Sequence, residues 1–247
     1  MQAENIQKGR TVLIWKDLDA LSVAAAHFFV TECNRCIEEN GKFVVALSGG
    51  NTPKKLYELL SSPAFTRNIP WRRVFLFWSD ERFVAHSDAE SNYRMVRESL
   101  LEGINIPAKN VFPVPVNGPP EKAALQYETR IRNFLKGSSP TFDFLLLGVG
   151  EEGHTASLFP GSELLNERRR WVKEVWVPQK QTHRITFTLP IINKARQILF
   201  LVSGREKAIV ISKVLAKKST RNLLPVQMVH PNKGNTMWIL DEEAAGG

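Results

Sequence analysis

The stretch GVGEEGHTASLFPG, residues 148–161, places a carboxylate and an imidazole on a glycine-rich turn. It follows the apolar run FDFLLL, residues 142–147, so we expect His154 near the end of a buried strand. A histidine there can act as a general base, because the ordinary imidazole pKa of about 6.5 leaves much of it neutral at physiological pH. Glu152 could hold the imidazole tautomer, as carboxylates do in hydrolytic triads. A histidine that only caps the next element is the alternative.

A second glycine-rich turn lies in VVALSGGNTPKKL, residues 44–56. Ser48, Gly49 and Gly50 leave an apolar run and lead to Thr52, the predicted N-cap, and Pro53, the predicted first helical residue. The free N–H groups and the helix dipole at such a turn can cradle a phosphate. The spacing matches neither the GxxxxGK[ST] phosphate loop nor the GxGxxG dinucleotide loop. A turn of this kind can also be purely structural.

Three consecutive charged residues follow another apolar run, in VFLFWSDERF, residues 74–83. Asp80, Glu81 and Arg82 at the mouth of a buried strand are poorly explained as core residues, although a solvated loop would also account for them. A functional role therefore requires that they meet other site residues.

Two more basic residues fit an anion site. Arg184 begins a predicted strand in HRITFTLP, residues 183–190. In SGREKA, residues 203–208, Ser203 and Glu206 are interpreted as a capping box over a helix that carries Lys207 in its first turn. A lysine there is unfavourable for the helix dipole, so we expect it to bind an anionic ligand.

The hydrophobic pattern predicts the elements that position these residues. Apolar and β-branched runs predict buried strands at residues 12–15, 43–47, 74–78, 144–147, 185–189, 198–202 and 237–240. Helical patterns lie between them, at residues 18–39, 53–60, 90–101, 121–135 and 205–215. This alternation predicts an α/β fold whose mostly parallel sheet has helices on both faces, with ligands at the C-terminal ends of the strands. No linker or repeat is present, so we predict one domain over residues 1–247.

The amino-acid composition limits the classes of partner that this protein is expected to bind. The net charge of +8 favours an anionic partner, but the basic residues are dispersed and form no nucleic-acid motif, so we expect a small molecule rather than nucleic acid. Cys33 and Cys36 fall in one helical pattern and offer neither a disulfide framework nor a closed metal site. No apolar run approaches the roughly 20 residues of a membrane helix, and the N-terminus lacks the apolar core of a secretory signal. We therefore expect a cytoplasmic protein without a membrane partner.

The motifs together resemble the 6-phosphogluconolactonase family, in order and over nearly the whole chain. They are SGGNTP (48–53), DERFV (80–84), SNYRM (91–95), GVGEEGHTASLFPG (148–161), HRITFTLPIIN (183–193), SGREKA (203–208) and MWILDEEAA (237–245). The resemblance implies a Rossmann-like fold similar to glucosamine-6-phosphate deaminase and ribose-5-phosphate isomerase. It also implies hydrolysis of 6-phospho-D-glucono-1,5-lactone to 6-phosphogluconate, the second step of the oxidative pentose phosphate pathway, with no metal or organic cofactor.

The resemblance gives the candidate residues roles. The substrate phosphate is expected to bind six of them, with the two basic side chains neutralising its charge: Ser48, Gly49, Gly50, Thr52, Arg184 and Lys207. His154 is expected to activate water and then return the proton to the leaving ring oxygen, with Arg82 stabilising the oxyanion. Glu152 and Asp80 complete the catalytic group. The partner is a small sugar-phosphate lactone, and we expect a monomer or a weak homodimer.

Two positions distinguish this chain from relatives of that fold. Family members usually carry Asp where this chain has Glu152, whose extra methylene could preserve the contact with the imidazole or lose it to solvent. Phe159 stands where glucosamine-6-phosphate deaminase has a glutamate that assists ring opening, which disfavours deamination and isomerisation. A sugar-phosphate sensor is the alternative from another class. Such sensors normally carry a DNA-binding module, for which the family pattern leaves no room, so we expect an enzyme.

Overall fold

The computed structural model describes residues 2–7, 10–137, 141–216 and 223–247. The strands are β1 (Gln2–Gln7), β2 (Arg10–Trp15), β3 (Phe43–Leu47), β4 (Val74–Trp78), β5 (Asp80–Arg82), β6 (Phe144–Leu147), β7 (Val172–Val177), β8 (Thr182–Phe187), β9 (Gln197–Val202) and β10 (Asn235–Asp241). The helices are α1 (Leu18–Asn40), α2 (Asn51–Ser61), α3 (Pro63–Thr66), α4 (Asn92–Ser99), α5 (Pro120–Phe134), α6 (Leu189–Ile192), α7 (Ala208–Leu215) and α8 (Glu242–Ala245). Within these ranges no helix is long and apolar enough to cross a membrane.

The central sheet has seven strands in the order β1-β2-β10-β9-β6-β3-β4. β1 runs antiparallel to β2, and the other neighbouring pairs are parallel. Every residue of β3, β6 and β9 is buried, as expected for a parallel sheet covered on both faces. The predicted α/β fold with a mostly parallel sheet is confirmed.

The first helix shows how the local sequence produces these elements. The side chain of Asp17 accepts a hydrogen bond from the N–H of Ala20, and Gly41, at φ 74°, ends the helix. Cys33 and Cys36 are free thiols on the buried face of α1. Burial raises the pKa of both thiols to about 12, so they are core residues rather than reactive groups.

A small antiparallel sheet, in the order β5-β8-β7, lies beyond the C-terminal end of β4. Ser79 links the two sheets, because its N–H donates to the carbonyl of Leu47 (2.8 Å) and its carbonyl accepts from the N–H of Phe187 (2.7 Å). The pairing of β5 with β8 places Arg82 directly opposite Arg184. The sequence did not predict β1, β5 or β7, and Arg184 is the third residue of β8 instead of the first.

The prediction that Thr52 caps α2 was wrong. The helix begins at Asn51, and its N-cap is Gly50, at φ 112° and with no side-chain cap. Glycine adopts this backbone conformation without the penalty that other residues incur, so the chain enters the helix directly from the glycine turn. Thr52 therefore lies inside the first helical turn.

The predicted capping box at Ser203 was also wrong. Gly204, at φ 103°, precedes a 3-10 turn at Arg205–Lys207, and α7 follows that turn. The hydroxyl of Ser203 instead donates to the carboxylate of Asp241. Lys207 is thus the residue before α7 and does not lie in its first turn.

Candidate active site

The residues that follow β3, β4, β6 and β9 line a cavity of about 300 Å³. Nine of the ten predicted site residues line it: Ser48, Gly49, Gly50, Thr52, Asp80, Arg82, His154, Arg184 and Lys207. Glu152 is the exception, and it reaches the cavity only through its contact with His154. The C-terminal edge of the sheet therefore brings together residues that are far apart in the sequence.

The glycine-rich turn holds the imidazole of His154 in a narrow slot. The N–H of Gly150 donates to the carbonyl of His154 (2.9 Å), and the N–H of Gly153 donates to the carbonyl of Gly150 (2.9 Å). A Cβ on Gly150 would lie 2.0 Å from Nδ1 of the imidazole, so only glycine leaves room for the ring. The ring of Phe159 also packs against the imidazole, with centroids 4.5 Å apart.

Glu152 contacts the imidazole despite its extra methylene. Its Oε1 lies 3.0 Å from Nδ1 of His154, although Nδ1 makes no hydrogen bond of good geometry, so the contact is mainly electrostatic. Burial acts to raise the pKa of Glu152, but a backbone hydrogen bond and the neighbouring His154 outweigh it and leave the pKa below its ordinary value. The carboxylate is therefore ionised at neutral pH beside the ring.

Arg184 is a buried cation that is only partly paired. Its Nη1 donates to the hydroxyl of Ser157 (3.4 Å) and lies 4.0 Å from Oδ2 of Asp80, while its Nε has no partner. Burial lowers its pKa; Asp80 acts to raise the pKa, and Arg82 to lower it. Arginine nevertheless stays protonated in proteins. A buried guanidinium with unused donors beside a cavity favours an incoming anion.

Asp80 belongs to the surroundings of Arg184. Its carboxylate is buried and accepts a hydrogen bond from the hydroxyl of Ser157 at 2.7 Å. Ser157 in turn receives the hydrogen bond from Arg184, so one serine joins the carboxylate to the guanidinium. These contacts place Asp80 beside the guanidinium of Arg184 at the cavity wall.

Arg82 brings a second guanidinium to the cavity. Its Nη1 donates to the carbonyl of Glu90 (2.6 Å), its backbone N–H donates to Oε1 of Glu81 (2.8 Å), and its Nε has no partner. Because Arg82 and Arg184 lie opposite each other on paired strands, their positive charges reinforce each other at the cavity wall.

The glycine turn before α2 has the features of an anion cradle. The hydroxyl of Tyr57 donates to the carbonyl of Ser48 (2.8 Å) and accepts from its N–H (3.2 Å), which fixes the backbone where the turn begins. The hydroxyl of Ser48 is buried and has no partner. The first N–H groups of α2 have no intrahelical partner, and the helix dipole favours negative charge there.

Lys207 adds a third cation. Its Nζ lies 3.9 Å from Oε1 of Glu151, which is largely exposed, so this ion pair is weak. The loop before Lys207 is held by Asp241, whose carboxylate accepts from the hydroxyl of Ser203 and from the N–H groups of Gly204 (3.1 Å) and Ala244 (2.8 Å). The lysine is therefore anchored through its backbone and free to exchange its weak partner for a ligand.

Comparisons with known proteins identify the family of this chain. The family described as "Glucosamine-6-phosphate isomerases/6-phosphogluconolactonase" matches residues 16–238. The chain belongs to this family. A protein of Synechocystis sp. named 6-phosphogluconolactonase is 39% identical over 219 residues, which cover 87% of this chain and 88% of the relative.

Solved structures show the same fold. The 6-phosphogluconolactonase from Trypanosoma cruzi superposes with a TM-score of 0.84 at 32% identity, covering 96% of each chain. A monomeric glucosamine-6-phosphate deaminase superposes with a TM-score of 0.81 at 21% identity, covering 95% of this chain and 98% of the deaminase. This family member therefore shares its fold with both enzymes.

Sequence reasoning missed Ser157 and Glu81. Ser157 bridges Asp80 and Arg184, but a serine in a motif of small residues gives no signal of such a contact. Glu81 was noted only as one of three charged residues, whereas its carboxylate is fully buried and accepts four hydrogen bonds. In the part of the chain that the structure describes, no group of three or more His, Cys, Asp or Glu side chains is arranged to hold a metal ion.

Proposed function

We propose that this protein hydrolyses 6-phospho-D-glucono-1,5-lactone to 6-phosphogluconate, with His154 as the general base. The observation that carries the proposal is the imidazole held beside Glu152 at a cavity that also has three cationic side chains. The relatives from Synechocystis and Trypanosoma cruzi, both named 6-phosphogluconolactonase, support the choice of substrate. The cations suit a phosphate, and the imidazole suits the activation of water for attack on an ester carbonyl.

The phosphate of the substrate binds at the turn of Gly49 and Gly50, where the free N–H groups of α2 point at it. Arg184 and Lys207 neutralise its charge. The unpaired hydroxyl of Ser48 donates to a phosphate oxygen, which satisfies a group that otherwise lies buried without a partner. Binding at this end leaves the lactone ring toward His154.

The carboxylate of Glu152 beside Nδ1 favours the tautomer with the proton on Nδ1, so Nε2 carries the lone pair. Nε2 takes a proton from water as the water oxygen attacks C1 of the lactone. Arg82 stabilises the oxyanion that forms on the carbonyl oxygen. The bond from C1 to the ring oxygen then breaks, and the imidazolium returns its proton to that oxygen. The product is the open-chain acid.

Phe159 argues against the other activity in the family description. Its ring packs on the imidazole of His154, and the guanidinium of Arg184 lies 5.8 Å from the ring centroid. A phenylalanine cannot exchange protons, so this position has no group to assist sugar-ring opening by acid–base catalysis. The site is therefore better suited to hydrolysis of a lactone than to isomerisation of an amino sugar.

The decisive experiment measures hydrolysis of freshly prepared 6-phosphogluconolactone, coupled to 6-phosphogluconate dehydrogenase and corrected for spontaneous ring opening. We expect His154→Ala to lower kcat by about 10²-fold or more, as the loss of a general base does. His27→Ala is the matched control, because His27 lies on the exposed side of α1, and it should keep the wild-type rate. A folded wild-type protein with no rate above the spontaneous one refutes the proposal. Binding of 6-phosphogluconate without turnover would indicate a sensor instead.

A further inference from the structure

Glu81 is a buried carboxylate without a role in the reaction described above. It has no exposed surface, and no described cation pairs with it. Its Oε1 accepts from the N–H groups of Arg82 (2.8 Å) and Asn92 (2.7 Å). Its Oε2 accepts from the N–H of Tyr93 (2.7 Å) and the hydroxyl of Ser91 (3.1 Å). One carboxylate thus joins the end of β5 to the first turn of α4.

Burying this charge costs free energy. Burial raises the pKa of Glu81 to about 7, against the three backbone hydrogen bonds, which act to lower it. A buried carboxylate whose desolvation is incompletely offset contributes little net stability. The four hydrogen bonds to Glu81 instead fix the position of β5 relative to the start of α4, because their donors belong to residues of both segments.

Asn92 extends the link to the phosphate cradle. Its Nδ2 donates to the carbonyl of Asp80 at 2.9 Å, which also identifies the other side-chain atom as Oδ1. Oδ1 lies against Gly49, where a Cβ would be only 1.8 Å from it. Glu81 accepts from the backbone N–H of Asn92, and the side chain of Asn92 bonds the strand end and packs against the glycine turn, where its Oδ1 has no hydrogen-bond partner.

We propose that Glu81 is a positioning residue that fixes Arg82 relative to the Gly49–Gly50 turn. The proposal rests on the proposed function, since it assigns the carboxylate a task in binding phosphate and stabilising the oxyanion within one site. A glutamine cannot perform this task, because its amide supplies one acceptor oxygen where the carboxylate supplies two. Its NH₂ group would face donors at Ser91 and Tyr93. An aspartate is too short to span both elements.

The test compares Glu81→Gln with Glu128→Gln. Glu128 is also a buried carboxylate, but it is bound by Arg132, Arg170 and the N–H of Val172, outside the cavity. We expect Glu81→Gln to lower kcat by about 10-fold and to raise KM by about 10-fold, as expected when catalytic groups are misplaced. Glu128→Gln should lower the melting temperature and leave kcat and KM unchanged. Wild-type kcat and KM in a folded Glu81→Gln protein would overturn the proposal.

A double-mutant cycle distinguishes the positioning of Arg82 by Glu81 from a general loss of order in the site. If Glu81 acts through Arg82, adding Glu81→Gln to Arg82→Ala should lower kcat by less than about 3-fold further, because coupled residues are not additive. Full additivity in kcat would overturn the proposal. If Glu81→Gln does not fold, Asn92→Ala is the second variant, because it removes the side chain that packs against Gly49. We expect Asn92→Ala to weaken phosphate binding about 10-fold. Unchanged phosphate binding would contradict the proposed link between Asn92 and the glycine turn.

Calorimetric measurement of inorganic phosphate binding tests the positioning role of Glu81 independently of the proposed lactone hydrolysis. A wild-type protein that binds phosphate but hydrolyses no lactone refutes the function alone. In that case, weaker phosphate binding by Glu81→Gln still supports positioning of the cradle, and equal binding refutes it.

Discussion

Substituting alanine for Gly150 would drive a methyl group into the imidazole of His154. The new Cβ would lie 2.0 Å from Nδ1 and 2.1 Å from Cε1, whereas ordinary contacts begin at 3.4 Å. The ring must therefore move by more than 1 Å. Gly150 is not among the glycines with positive φ, so alanine can adopt the backbone conformation at this position. The substitution therefore causes a steric clash with the imidazole rather than backbone strain.

A displacement of about 1 Å in a catalytic group can cost about 10²-fold in rate, or about 2.7 kcal/mol of transition-state stabilisation. We expect Gly150→Ala to lower kcat by at least this factor, close to the effect of His154→Ala. KM should change little, because the proposed phosphate site lies on a different loop. The melting temperature should fall only slightly, since the imidazole is partly exposed and can rotate away.

The measurement combines the coupled lactonase assay with NMR of the histidine ring signals. Gly148→Ala is the matched control for the ring, because a Cβ there meets nothing within 4 Å. It should leave the His154 ring signals at their wild-type positions, whereas Gly150→Ala should shift them. A folded Gly150→Ala protein with kcat within about 3-fold of wild type would refute the idea that the slot sets the position of the base.

Three further predictions concern charged residues. Glu152→Gln should lower kcat by about 10-fold with an unchanged melting temperature, and Glu152→Asp should retain most of the rate; a full rate in Glu152→Gln would show that the carboxylate has no orienting role. Arg184→Lys should raise KM by about 10-fold with a smaller change in kcat, because an ammonium lacks the planar donor pair; an unchanged KM would contradict phosphate binding there. Burial acts to raise the pKa of Glu128, but hydrogen bonds from Arg170 and Arg132 outweigh it and lower the pKa, so its contribution to stability is present above the ordinary glutamate pKa of about 4.3 and lost as pH falls below it. Melting curves between about pH 6 and pH 3 should therefore show a smaller loss for Glu128→Gln than for wild type, and an equal loss would refute this assignment.

The sequence predicted six of the seven strands of the central sheet, because each of the six contains a continuous apolar run, whereas the edge strand β1 is polar and was not predicted. The predicted bounds of β3, β4 and β6 agree with the structure at both ends. Strands buried on both faces leave this pattern, and charged or glycine residues mark where each one ends. For the same reason the candidate residues that follow β3, β4 and β6 were found without knowledge of their contacts.

The small sheet could not be predicted in the same way. β5 consists of three charged residues, and its pairing with β8 joins positions about a hundred residues apart. The local hydrophobic pattern of a sequence does not indicate pairing between strands that lie so far apart in the chain. The cap of α2 was misassigned because Thr52 and Pro53 are good helix starters, whereas the φ of Gly50 decides where the helix begins. Three of the four hydrogen-bond donors to Glu81 belong to residues 91–93 at the start of α4. The sequence could not predict them, because they reach Glu81 only when α4 packs beside β5.

The place of β10 in the central sheet has a consequence for folding kinetics. It is the last of the described strands in the chain, yet it lies between β2 and β9 and pairs with β2 from Thr236 to Asp241. Contacts between residues so distant in sequence form slowly, and one edge of β2 stays open until β10 inserts. Because β10 ends at Asp241, which binds the loop before Lys207, we expect this loop to reach its native position only after β10 has paired. During refolding, recovery of phosphate affinity should therefore lag behind the formation of secondary structure.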